Sequence, residues 1–320
     1  MKYLAMKILA ADIGGTNSRF AAVEMTSPSN IMMSELFIFP TALKSIRSLG
    51  DLLGHFRENA PLELADLDQY QAITLGVAGA VNQGKATLPN IGWDIDLASF
   101  KHSKPIFLLN DFYAQAHAFL DKDMLNSLHT VRQGSCPGSG SIAVVGAGTG
   151  LGHAALIPFA GGRLVFGSES GHGTFAFHGQ QERDIESFFL ARKGHTWISS
   201  DDVVCGSGAA LIHECLTGRK VSPAEALADP DGHSLSCKLF SRFYARACRN
   251  YCLAILPVER LVITGGIAAK NQHLLECQEF SDEFNDASHY RHLFEKIPIY
   301  LNTDQGLGIK GAAIHAWLQL

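Results

Sequence analysis

Apolar runs broken by glycine organise this chain. Ile8-Leu9-Ala10-Ala11 leads into Asp12-Ile13-Gly14-Gly15-Thr16-Asn17, and Phe20-Ala21-Ala22-Val23 leads away, which predicts a strand, a tight polar turn and a second strand. Residues 35–40 supply a third strand, residues 43–59 carry Leu, Ile and Phe at helical spacing, and residues 73–78 form a buried-looking strand that runs into Gly79. Antiparallel strands first and a crossover helix after them is not the order of a Rossmann domain. The stretch 86–96 reads as a loop, with Trp93 as packing. Residues 105–109 are continuously apolar, as expected of a strand buried on both faces. They end in Asn110-Asp111 ahead of a helical stretch at 112–120.

The chain then repeats its opening. After a glycine- and serine-rich stretch at 134–140, read as a flexible break, residues 141–145 form a strand. The turn Gly146-Ala147-Gly148-Thr149-Gly150 follows, and 151–157 form a second strand. Thr16 and Thr149 stand in like positions, which points to two related domains. Residues 166–175 make another polar, glycine-rich loop holding Glu169 and His172. Helices are expected at 184–193 and 238–256. In the second, Lys238, Arg242, Arg246 and Arg249 recur at helical spacing and read as a solvated basic face. Residues 261–264 form a strand closed by Gly265-Gly266 before a helix, 298–301 form the last strand, and 307–318 the final helix.

Length and composition narrow the class. A chain of 320 residues has room for roughly two domains. A net charge of -5 argues against nucleic acid as the main partner, which needs clustered Lys and Arg. No apolar run approaches the roughly 18 residues of a membrane span. The first apolar run leads directly into the glycine turn, without the features of a signal peptide. Seven cysteines, scattered without a Cys-x-x-Cys pair, read as reduced and mostly buried thiols, so a cytoplasmic location is expected.

Candidate chemistry sits at the turns. Adjacent glycines let backbone N–H groups approach a phosphate, and Asp12 beside such a turn calls for a cation, which fits a hydrated Mg²⁺ carried with nucleotide phosphates. A plain Gly-Gly hairpin explains the turn equally well. The second turn fits no dinucleotide fingerprint, and no Walker A sequence is present. Asn110-Asp111 lies at the carboxyl end of a strand, where open α/β sheets bind ligands; a helix cap accounts for Asp111 but not for the pair. Glu169 and His172 alone read as a solvated loop. Gly265-Gly266 leaves room for a ligand over a helix N-terminus.

Taken in order, Asp12-Ile13-Gly14-Gly15-Thr16-Asn17, Leu109-Asn110-Asp111-Phe112, Gly146-Ala147-Gly148-Thr149-Gly150-Leu151-Gly152, Glu169-Ser170-Gly171-His172 and Ile263-Thr264-Gly265-Gly266-Ile267 resemble the motifs of bacterial glucokinases, within the sugar kinase, actin and Hsp70 ATPase superfamily. The resemblance covers almost the full length. It implies an α/β, two-domain actin-like ATPase (ribonuclease H-like) fold with a cleft between a small domain, 1–121 plus 303–320, and a larger one, 122–302. It also implies ATP- and Mg²⁺-dependent phosphorylation of glucose to glucose 6-phosphate, in a cytoplasmic homodimer without nucleic-acid or membrane partners. By resemblance Asp111 is the catalytic base on the sugar 6-hydroxyl, and Asn110, Asp111, Glu169 and His172 bind the sugar. The resemblance makes Ala11, Asp12, Ile13, Gly14, Gly15, Thr16, Asn17, Gly148, Thr149, Gly265 and Gly266 nucleotide-binding: the turns Gly14 to Asn17 and Gly148-Thr149 hold the phosphates, Gly265 and Gly266 border the adenine, and Asp12 meets the metal through water.

Three departures stand out. Where such glucokinases commonly place a second sugar-binding glutamate, ahead of a Gly-x-Gly turn, this chain has Asp201, shorter by one methylene, before Gly206-Ser207-Gly208. A loop drawn inward, a bridging water or a different preferred sugar would each accommodate it. Asp304-Gln305-Gly306 stands in place of an Asn-Pro-Gly, and the cysteine-rich zinc motif of the related repressor and kinase group is absent. The rival readings are a kinase for mannose, fructose or an N-acetylhexosamine, a sugar sensor without turnover, and a sugar-independent ATPase.

Overall fold

The computed structural model describes residues 5–88, 91–135, 138–229 and 234–320. The chain divides into two compact units, Met1–Ser127 with Asp304–Leu320, and Leu128–Thr303.

The first unit is built on the opening hairpin. Strand β1, Met6–Ile13, pairs antiparallel with β2, Asn17–Ser27, and the register sets Asp12 opposite Arg19. Two short strands follow, β3 (Asn30–Met33) and β4 (Phe37–Pro40), both paired with β2. The expected helix at 43–59 is shorter: α1 spans Leu49–Asn59, because the Ser48 side chain accepts from the Asp51 N–H and starts it there. Strands β5 (Ala72–Val77) and β6 (Ile106–Asn110) extend the sheet in parallel, giving the order β3-β2-β1-β5-β6. The stretch 86–96, expected as loop, gives Ala86, Ile95 and Asp96 to a small three-stranded sheet completed by Val81, Asn82 and Lys85, and Trp93 packs into the core as expected; Pro89 and Asn90 of that stretch lie outside the described residues.

Alternation places Leu9, Ala11 and Ile13 on the face that packs on α1, and Ile8 and Ala10 on the face covered by the C-terminal helix Leu307–Gln319. Burial of β1 on both faces thus follows from its apolar run. The strand expected to be buried on both faces at 105–109 is instead last in the sheet order, with only Leu108 and Leu109 fully buried.

The second unit repeats this plan. Its sheet is β7 (His129–Arg132), β8 (Ser141–Ala147), β9 (Leu151–Phe159), β10 (Gly162–Ser168), β11 (Val258–Thr264) and β12 (Ile299–Leu301), in the order β7-β12-β11-β8-β9-β10. As in the first unit, the leading strand has an antiparallel hairpin partner on one side and a parallel strand on the other. Two of the three glycines read as a flexible break, Gly134 and Gly140, are packed, while Gly138 has open space around it. A side chain at Gly134 would strike Lys296 and Pro298, and one at Gly140 would lie 2.7 Å from the Glu259 amide; Cys136 and Pro137 lie outside the described residues.

The basic stripe requires a correction. The helix expected at 238–256 is α4, Leu235–Ala254, which follows α3, Gly179–Lys193, and it is buried nearly all round rather than on one face. Arg246 is 1% exposed and Arg249 is buried. Arg246 donates to both oxygens of Glu182 and to Glu283, Arg249 shares Glu283, Arg242 reaches Glu182 at 3.8 Å, and Lys238 pairs with Glu279. Phe240, Phe243 and Tyr244 fill the remaining faces, so Arg246 and Arg249 point into carboxylates from α3 and the helix Gln278–Asn285 instead of into water, while Lys238 and Arg242 stay partly solvated.

Candidate active site

In the first unit the candidate residues gather at the carboxyl edge of the parallel strands. Register sets Ile13, Val77 and Asn110 in one row, so the glycine turn, Gly79 and Asn110-Asp111 share one edge, with roughly 10 Å between the outer two strands. The turn is tight: the Gly14 N–H donates to the Asn17 carbonyl at 3.0 Å, and Thr16 at its apex is exposed.

Asp12 lies below that turn. Arg19 Nη1 stands 3.3 Å from its Oδ2, and Gly308, in the first turn of the C-terminal helix, lies close enough that an added Cβ would be 3.6 Å from the Asp12 carboxyl carbon. Burial pushes the Asp12 carboxyl pKa up, and the charge and hydrogen bond of Arg19 oppose it without cancelling it. Arg19 was not singled out in the sequence, although the hairpin register gives it: with the turn at 14–17, residue 19 must face residue 12. Asp304, in the departure ahead of the C-terminal helix, accepts from the Gly306 N–H and pairs with Lys310 at 2.7 Å, so it organises the start of that helix.

Helix α2, Asp111–Ala118 in chain order, starts where the two readings of Asp111 can be separated. The cap is Asn110: its Oδ1 accepts from the Phe112 and Tyr113 N–H groups at 2.9 and 3.1 Å, and its Nδ2 donates to the Gly79 carbonyl at 3.2 Å. Asp111 Oδ1 shares the Phe112 N–H at 2.9 Å, but the helix has its cap without it. Gly76 has only hydrogen where this first turn crosses β5, with an added Cβ 3.9 Å from the Asp111 Cα.

In the second unit, three segments share one edge of the sheet. The turn 148–150 joins β8 to β9, Gly265-Gly266 follows β11 beside the end of β8, and His153 pairs with Ser168, which brings Glu169 to the same edge. Gly265 has φ +90°, and a Cβ there would lie 2.6 Å from the Ala147 carbonyl oxygen, so only glycine fits. Glu169 precedes a single 3-10 turn, Ser170–His172. Both Glu169 and His172 are exposed, with His172 Nε2 3.6 Å from Glu169 Oε2. That turn rests on Gly171, packed against the Leu151 carbonyl and the buried His153 ring. Downstream, the Ala176 carbonyl accepts from Arg246 and the His178 N–H donates to Glu182, so the buried ion network also holds the strand leaving this loop.

Asp201, in the place of the second sugar-binding glutamate, lies in the short helix Ser200–Val203. Its Oδ1 accepts from the Leu151 N–H at 2.6 Å, which directs the carboxylate to the glycine turn.

The glucokinase family model matches residues 9–319. The chain belongs to the glucokinase family. Among curated relatives, the glucokinase of Synechocystis sp. is 28% identical, covering 99% of each chain, and that of Trichormus variabilis is 29% identical over 97% of this chain and 98% of its own. A crystal structure of glucokinase from an Antarctic psychrotroph is 27% identical, with a TM-score of 0.76 over 97% of this chain and 98% of that one. The glucokinase of Balamuthia mandrillaris, solved in complex with glucose, is 18% identical and shares the fold at a TM-score of 0.80 over 97% of this chain and 93% of its own. The fold is therefore the two-domain actin-like ATPase fold, in keeping with the repeated sheet plan. The family members are hexose kinases, and no helix among the described residues is long and apolar enough to cross a membrane.

Proposed function

We propose that the protein is an ATP-dependent glucokinase that transfers the terminal phosphoryl group of MgATP to the 6-hydroxyl of glucose. The observation that carries the assignment of the base is the division of labour at the head of α2: Asn110 caps the helix, and Asp111 is not needed for that purpose. In phosphoryl transfer the base need only orient the sugar hydroxyl and accept its proton late, because the transition state is loose and alignment dominates.

Sugar ligation is assigned to Asn110, Asp111, Glu169 and His172. Amide, carboxylate and imidazole together suit a polyhydroxylated ring, since a site built for hydroxyls discriminates against analogues that lack them. The nucleotide is assigned to Ala11 to Asn17, with the turns Gly14 to Asn17 and Gly148-Thr149 on the phosphates, and Gly265-Gly266 at the edge of the adenine. Mg²⁺ enters as part of the nucleotide substrate. Among the described residues no cluster of three or more His, Cys, Asp or Glu could cage a metal, which fits an ion held chiefly by phosphates and water, with Asp12 as an outer contact. Arg19 beside Asp12 adds positive charge near the phosphates.

The two units stand for the small and large domains of this reading. A homodimer in the cytoplasm belongs to it as well, and sedimentation at assay concentration tests the dimer. ADP formation with MgATP across glucose, mannose, fructose and N-acetylglucosamine tests the substrate. The reading expects the highest kcat/KM with glucose; a clear preference for another hexose replaces glucose and keeps the mechanism.

A further inference from the structure

We propose that Asp201 is a positioning residue for the glycine turn that precedes Leu151, and that it couples this turn to the Glu169–His172 loop. The inference rests on the glucokinase reading above. Leu151 carries the first amide after Gly148-Thr149-Gly150, and Asp201 Oδ1 accepts its N–H at 2.6 Å. Glycine at 150 makes that approach possible, since a Cβ there would lie 2.6 Å from the same oxygen. A second tie comes from the same segment, where the Gly206 N–H donates to the Gly148 carbonyl at 2.9 Å. The turn is thus held at both ends by residues 201 and 206.

The same segment also holds the sugar loop. The Ser200 N–H donates to the Gly173 carbonyl at 3.0 Å, Thr174 bridges Ser199, and a capping box of Ser199 with Asp202 fixes the short helix that carries Asp201. A shift of residues 199–206 therefore moves both the Gly148-Thr149-Gly150 turn and the segment that follows His172. The shorter aspartate thus meets the turn directly, through its bond to the Leu151 N–H. A charge-assisted hydrogen bond to a backbone amide is among the stronger ones a protein makes, and losing it leaves the turn amides less well aimed at a phosphate.

The experiment measures MgADP affinity by calorimetry without sugar, alongside the glucose KM, for wild type, Asp201→Ala, Asp201→Asn, Gly150→Ala and the double variant Asp201→Ala/Gly150→Ala. Asp201→Ala should weaken MgADP roughly tenfold, the loss of one charge-assisted bond. Asp201→Asn should recover most of that, because its amide oxygen accepts the same N–H. Gly150→Ala should weaken MgADP by displacing the carboxylate, and the double variant should be no weaker than Asp201→Ala alone. Unchanged sugar-free MgADP affinity in Asp201→Ala, with a raised glucose KM, overturns the proposal and makes Asp201 a sugar ligand only. Fully additive losses in the double variant also overturn it. If Asp201→Ala does not fold, Asp201→Leu takes its place, lacking the acceptor but filling the volume. Wild type that binds MgADP yet phosphorylates no hexose refutes the glucokinase reading, while the nucleotide affinities still decide the role of Asp201.

Discussion

Replacing Arg246 with Met tests whether the buried ion network holds the second unit together. The substitution keeps most of the side-chain volume and removes the guanidinium that bonds Glu182, Glu283 and the Ala176 carbonyl. The two carboxylates then fare differently. Glu283 retains Arg249 at 2.8 Å, whereas Glu182, itself buried, is left with the His178 N–H and, as its nearest cation, the half-exposed Arg242 at 3.8 Å. Breaking a buried pair by removing one partner costs about 3–5 kcal/mol, and with one carboxylate still paired the lower end applies, about 3 kcal/mol. Contacts of Arg246 with the Phe175 and Phe243 rings, at 5.4 and 5.5 Å, are lost as well.

The cost should depend on pH in a definite direction. Burial works to raise the Glu283 carboxyl pKa, but the hydrogen bonds and charges of Arg246 and Arg249 outweigh it and hold the pKa below its ordinary value. A carboxylate so lowered contributes stability above its unfolded pKa and loses it as pH falls through the folded one. The gap between wild type and Arg246→Met should therefore be widest near neutrality and narrow through the carboxylate range. Urea midpoints at pH 7 and pH 4.5 provide the assay. A neutral-pH gap within about 0.5 kcal/mol, the range of ordinary surface changes, or a gap that widens on acidification, would refute the reasoning.

Other consequences follow from the same geometry. Asn110→Ala removes a helix cap and the bond to the Gly79 carbonyl, and should lower stability by about 1–2 kcal/mol in denaturant titration. Burial pushes the imidazoles of His153 and His315 down to about 4, so each favours the fold while neutral. Stability from this source is complete above pH about 6.5 and falls as pH drops toward 4, and His153→Phe or His315→Phe should flatten that acid limb of a thermal-melt profile. Gly265→Ala places a methyl against the Ala147 carbonyl at φ +90° and should weaken MgADP binding and lower the melting temperature together.

Much of this was legible in the sequence because the signals were local. An apolar run, a glycine- and threonine-containing turn and a second apolar run specify a hairpin, and the chain offers that pattern twice, at Gly14-Gly15-Thr16 and at Gly148-Thr149-Gly150. Edge strands were harder: β3 and β7 are 4 residues each, too short for a period to announce them. The Arg246 stripe was misread because helical spacing reports which residues share a face, not what that face meets, and its carboxylate partners lie 37 and 64 residues away in the chain. Arg19 was within reach of hairpin arithmetic, since it follows the turn by the same count that Asp12 precedes it. The length of Asp201 could be read, but its target could not: the Leu151 amide is 50 residues distant, and only the fold brings the two together.

The most direct test of the central claim is the initial rate of ADP formation from MgATP, with and without glucose, for wild type and Asp111→Asn. The account predicts glucose-dependent turnover in wild type and a loss of about 10²–10⁴-fold in Asp111→Asn, with MgADP affinity retained. Undiminished turnover in Asp111→Asn, or no glucose-dependent ADP formation by a folded wild-type protein, would contradict it.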